Sequence, residues 1–160
     1  MAGVINVTAG SQAILVLGNT SALAVPGAVG SLNVPLMQDL TLTTSPNTVR
    51  YSTLDSTASS AFTTVVENGV SGSMLVDDDV FFGNAGVTNN SVATDGLWTT
   101  SNNKTEIFFS VAFEGTDSSD YYLTGKGFIS GLAPSASIDQ AVWISPIEIV
   151  VNGDLTKSTV

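Results

Sequence analysis

The sequence contains no cysteine and no histidine. Without cysteine there is no disulfide framework and no thiolate chemistry. Without histidine the commonest general base, the usual catalytic triads and most zinc sites fall away. Bases of any kind are scarce. Arg50, Lys104, Lys126 and Lys157 face fourteen acids, leaving a net charge of −10. A protein that grips nucleic acid neutralises phosphates with Lys and Arg, so this balance argues against that class. It does not argue against a protein that DNA slides past, because an acidic wall repels phosphate. Acidity also serves solubility alone. Long apolar runs are missing too. Residues 13–17 are too few for a signal-peptide core or a membrane span, and residues 1–10 carry no basic stretch. The expectation is a soluble chain made in a cytoplasm, with no membrane partner.

Charge of both signs is sparse, at 11% of residues, against about a quarter in ordinary globular proteins. Ser, Thr, Asn and Gly must therefore cover the surface. Such a surface suits a subunit that buries itself against copies of itself, and it also suits an extracellular module. Apolar residues make up 43% of the 160 positions, enough for one domain with a packed core, spanning 1–160.

What is present is mostly strand signal. Residues 4–8, 12–17 and 31–36 are short β-rich runs. In residues 38–44, Leu40 and Leu42 take one face and Thr41 and Thr43 the other. Ser45-Pro46-Asn47 predicts a turn, after which the strand resumes over 48–53. Residues 54–69, "LDSTASSAFTTVVENG", read as a long exposed loop that contacts a neighbour. Residues 70–82 read as a strand. Residues 91–100 predict a helix capped by Ser91, with Val92, Leu97 and Trp98 facing the core and Gly96 weakening it. Strands follow over 105–114, 120–132 and 140–152, with a turn at 115–119. Pro35 and Pro146 mark edges or bulges. Residues 157–160 read as a frayed tail. The fold class is mainly β, an antiparallel sandwich or barrel with one short flanking helix.

Candidate chemistry is thin. Gly125-Lys126-Gly127 evokes a phosphate loop, but such a loop needs Gly where Asp120 stands and Ser or Thr where Gly127 stands. The segment also lies inside a strand. Gly125 and Gly127 then share one strand face and permit a bulge or a close backbone approach, while Phe128 and its neighbours pack. Asp77-Asp78-Asp79 evokes a cation site, yet Phe81 and Phe82 interrupt the calcium-loop pattern. In a strand, Asp77 and Asp79 share a face that is solvated or lines a polar channel. Abundant hydroxyls have no base beside them. Phe108, Phe109, Phe113, Tyr121, Tyr122, Phe128 and Trp143 are expected to be core. No catalytic residue, metal or cofactor is implied.

The order of these features resembles one family. "STLDS" at 52–56 precedes a polar loop. "ENGVSGSMLVDDDVFF" feeds a turn glycine into a strand at 67–82, then come "NNSVATDGLWTT" and "TEIFFSVAFEG". The end places Tyr122, Gly125, Gly127, Phe128, Ile129 and Ser130 ahead of a small-residue turn and a last long strand closing at Gly153 and Leu155. This resembles the major tail (tail tube) protein of bacteriophages with long, non-contractile tails, over residues 48–156. Ala61-Phe62 stands where relatives carry a Gly-Trp-like pair. The resemblance implies a structural virion protein of the phage tail. Six copies would form a ring, rings would stack into a hollow tube, and DNA would pass through it without specific binding. It implies contacts with tail-terminator, tape-measure and baseplate proteins, and no catalysis. Asp55, Ser56, Ala61, Phe62, Val65 and Glu67 would contact neighbouring copies. Asp39, Thr41 and Thr43, or Asp77 and Asp79, would line the lumen. The rival reading is a β-sandwich binding module, an adhesin or carbohydrate-binding domain. A hydrolase using paired carboxylates is a third.

Overall fold

A computed structural model of the chain describes residues 14–34, 37–55, 57–113 and 121–159. The expected strand at 4–8, Pro35, Ser56 and the turn at 115–119 lie outside the described residues. Among the described residues there are nine strands: β1 Ile14–Gly18, β2 Leu32–Asn33, β3 Met37–Tyr51, β4 Ser60–Leu75, β5 Ile107–Ala112, β6 Tyr121–Ile129, β7 Ser135–Ser137, β8 Gln140–Val151 and β9 Thr156–Thr159. They form one sheet in the order β2-β1-β5-β6-β8-β4-β3, with β7 beside β8 and β9 beside β6. Every pairing is antiparallel. Two helices, α1 Asp78–Phe82 and α2 Ser91–Asn102, follow β4.

Alternation decides which face is buried. In β8, Ser145, Ile147 and Ile149 are buried while Pro146, Glu148 and Val150 are exposed, the period of two that a strand imposes. The register sets Ile149 opposite Val70 on β4 and opposite Ile129 on β6. Those side chains join Leu15, Leu17, Met74, Ile107, Phe109 and Ile147, with Val92 and Leu97 of α2, in the core. Leu40 and Leu42 pack against it from β3, as their alternation with Thr41 and Thr43 implies. Gly127 faces the core at a place where an added Cβ would overlap the Val150 carbonyl oxygen. At Gly125 a Cβ would press the Phe109 ring and the Leu155 side chain, at 3.1 and 3.0 Å. The glycine pair thus allows the close approach expected of it.

Several expectations change. The predicted turn at Ser45-Pro46-Asn47 is strand. β3 is the edge of the sheet, where a residue without an N–H is tolerated, and the irregularity sits between Pro46 and Thr48. Most of the predicted loop at 54–69 is the first half of β4. The strand expected over 70–82 stops at Leu75, because the Asp77 carboxylate accepts hydrogen bonds from the Asp79 and Val80 amides and starts α1. Asn90, not Ser91, caps α2 through the Val92 amide, and its buried side-chain amide donates to the Leu17 and Gly30 carbonyls. Gly96 breaks α2 at φ 81°, where its backbone lies against that of Phe81–Gly83. Of the residues read as a tail, 157–159 belong to β9, which pairs with β6. Pro146 does sit at a gap: β8 faces β6 from Ile149 onward and β7 from Ile144 back.

Candidate assembly surfaces

The hairpin β3–β4 outruns the sheet that holds it. β8 pairs β4 only between Gly69 and Leu75. Beyond that point the two strands continue alone, from Thr44 opposite Asn68 to Tyr51 opposite Ser60. At about 3.3 Å per residue this arm reaches roughly 30 Å past its support. Thr43 to Tyr51 and Ser60 to Glu67 are exposed throughout. A two-stranded ribbon alone is marginal in water. This one nevertheless carries exposed apolar side chains: Val49, Tyr51, Phe62, Val65 and Val66, with Leu54 fully exposed at the turn. Val49 stands opposite Phe62, and the Tyr51 and Phe62 rings lie 6.1 Å apart. The expected contact residues Asp55, Ala61, Phe62, Val65 and Glu67 all fall on this arm, and Ser56 lies outside the described residues. A hydrogen bond from the Thr53 side chain, then one from the backbone, holds the Asp55 carboxyl below its usual range. Leu54 and Val66 lie within the stretch expected to contact a neighbour, whereas Val49 and Tyr51 fall outside it, because an element without a buried face shows no apolar period.

A second surface is the sheet's polar face. Register puts Asp39, Ser73 and Pro146 in one row, Thr41, Ser71 and Glu148 in the next, and Thr43, Gly69, Val150 and Phe128 in a third. Asp39 accepts from the Ser73 amide and hydroxyl at 2.8 and 3.0 Å. Asp39, Thr41 and Thr43 therefore share one exposed face, with Glu67 and Glu148 added to it. Asp77 and Asp79 do not belong to it, since the strand has ended before them. Lys126 lies on this side beside Phe128 and pairs within the chain with Glu106 at 3.5 Å. Asn152 donates to Glu106 at 2.7 Å, and that bond, followed by the Lys126 charge, lowers the Glu106 pKa. Among the described residues no three carboxylates converge on a metal-sized site.

The third surface is concave. Val76, Asp78, Phe81, Phe82, Trp98, Pro134 and Trp143 line an open apolar cleft of about 570 Å³. Phe81 is buried and stacks edge-on to Phe82 at 5.1 Å and against Trp98 at 5.8 Å. Phe82, Trp98 and Trp143 are 61%, 42% and 57% exposed. Trp98 and Trp143 were expected in the core. Trp98 instead follows the break at Gly96, and Trp143 lies before β8 reaches its buried residues Ser145, Ile147 and Ile149. Tyr121 and Phe128 are also exposed, whereas Phe109 and Tyr122 are buried.

No protein-family model matches the chain, and no curated protein matches it at a significant level. Solved structures do match. A chain of the SPP1 tail tube superimposes on 96% of this chain and 80% of its own, with TM-score 0.69 and 14% identity. A chain from the tail of an empty gene transfer agent particle, refined with C6 symmetry, superimposes on 96% of this chain and all of its own, with TM-score 0.66 and 11% identity. A chain from the sheath–tube complex of an extracellular contractile injection system covers 93% of this chain and 89% of its own, with TM-score 0.60 and 12% identity. One antiparallel sheet with few helices, matching these chains nearly end to end, defines the tail tube fold. This chain has that fold.

Proposed function

We propose that the chain, as one domain over 1–160, is the major subunit of a phage tail tube, a structural virion protein without catalysis. Copies form hexameric rings, and the rings stack into a hollow, non-contractile tail. The observation that carries this reading is the exposed arm of β3 and β4 on a tail tube fold. A ribbon of this length with Tyr51, Leu54, Phe62 and Val65 in water has no partner among the described residues, and further copies would supply one. The face bearing Asp39, Thr41, Thr43, Ser71 and Glu148 supports a lumen wall, because carboxylates and hydroxyls without a basic cluster let DNA pass without adhering. DNA ejection then needs no chemistry from the subunit. Tail-terminator, tape-measure and baseplate proteins would contact the tube's ends and interior, after synthesis of the subunit in the host cytoplasm.

Negative-stain microscopy and sedimentation of the purified protein test this. Hollow tubes or six-fold rings are the expected outcome. A chain that stays monomeric at high concentration, with virion partners added, overturns it.

A further inference from the structure

The arm and the aromatic cleft lie at opposite ends of one strand. β4 begins at Ser60 beside the arm's turn and ends at Leu75, and Val76 then enters the cleft wall with its amide bonded to the Trp143 carbonyl. Sixteen strand residues separate them, roughly 50 Å at strand rise. The arm's end therefore cannot fold back into its own cleft. Each surface is apolar, one convex and one concave. The arm's end carries Arg50 as well as Asp55, and the cleft carries Asp78. Arg50, the sole arginine of the chain, sits at the arm's end, one residue from Tyr51. Among the described residues the one ion pair is Lys126–Glu106, so Arg50 makes no ion pair with any of them. The cleft's charged lining residue is Asp78, exposed in the first turn of α1 with Asp79 beside it.

We propose that the arm's end of one copy, through Tyr51, Leu54, Phe62 and Arg50, docks in the cleft of Phe82, Trp98, Trp143 and Asp78 on a second copy. This rests on the self-assembly reading and adds where the arm goes. Leu54 and the two rings cover the indoles, and Arg50 meets Asp78 at the rim. A convex site at one end and a concave site at the other allow a head-to-tail contact, which propagates into a ring or a stack.

The chain carries its own reporter. It has two tryptophans, and both line the cleft. In the full-length protein, acrylamide quenching of tryptophan emission should fall severalfold between dispersed and pelleted material. Arg50→Glu and Asp78→Lys should each raise the concentration needed for assembly about tenfold or more, because like charges then face each other. An equal mixture of the two variants, or both changes in one chain, should return assembly toward wild type. Thermal melts of the dispersed variants verify that each is folded. Assemblies whose tryptophans stay as open as in dispersed protein overturn the docking, as do single variants that assemble like wild type. If tubes form with open tryptophans, the docking fails and the tube reading stands. If short oligomers form with protected tryptophans and no tubes, the docking stands and the tube reading fails.

Discussion

The inner and outer halves of the β3–β4 hairpin are the same two strands under opposite conditions. From Leu42 opposite Val70 to Met37 opposite Met74, β8 supports the ribbon on one edge and the core covers one face. Val70 and Met74 are 2% and 1% exposed there. From Thr44 to Tyr51 no further strand is adjacent among the described residues, and Phe62 and Val65 are 51% and 59% exposed. The inner half is held by its own chain. The outer half has the β-branched and aromatic residues of a strand without anything to pack on. A monomer needs only the first; under the proposed function the second serves contacts between copies.

Three substitutions sharpen that contrast. Met74→Ala, in the inner half, should cost about 2–5 kcal/mol of monomer stability, the range for a buried Met cut to Ala, read by denaturant melts. A loss no larger than that of an arm variant would erase the distinction. Val49→Ser with Phe62→Ser, in the outer half, should move monomer stability by no more than about 0.5 kcal/mol, as exposed sites do. The same pair should abolish sedimenting tubes. If tubes persist, the arm's apolar face is not a contact.

The smallest effect concerns Glu106, on the body away from the arm. Its folded pKa lies below the unfolded value because of Asn152 and then Lys126. Its stabilising contribution is therefore present above the unfolded pKa and is lost as pH falls through the folded one. Glu106→Gln should lower the melting temperature slightly at neutral pH and leave it unchanged in acid below the carboxylate range. The difference should shrink in high salt, since the pair is exposed. A gap that persists in acid would mean that the carboxylate charge is not its source.

How much of this was legible in the sequence depended on burial. In β8 the apolar side chains Ile147 and Ile149 bracket Glu148, and the strand could be read from that period. In β3, Leu40 and Leu42 against Thr41 and Thr43 revealed both the strand and its two faces. The outer half of β4 has no buried face, so "SAFTTVVE" shows no alternation and reads as loop. Pro46 suggested a turn because nothing local says that β3 is an edge. The end of β4 was set by one carboxylate turning back onto two amides, and a run of three Asp does not reveal which of them will do so. The cleft was invisible for a related reason. Phe82, Trp98 and Trp143 come from two helices and a strand, and only the fold brings them together.

Pro46 has a consequence for the time before assembly. Among the described residues no strand pairs with the outer side of the fifteen-residue β3, and such an edge is a template on which a stray strand could crystallise into disordered fibre. Proline offers no N–H, so it divides that edge into a longer and a shorter stretch and raises the nucleation barrier for random strand addition. For the proposed tail subunit this would favour a dispersed state before assembly and leave growth to surfaces that recognise each other by shape and charge.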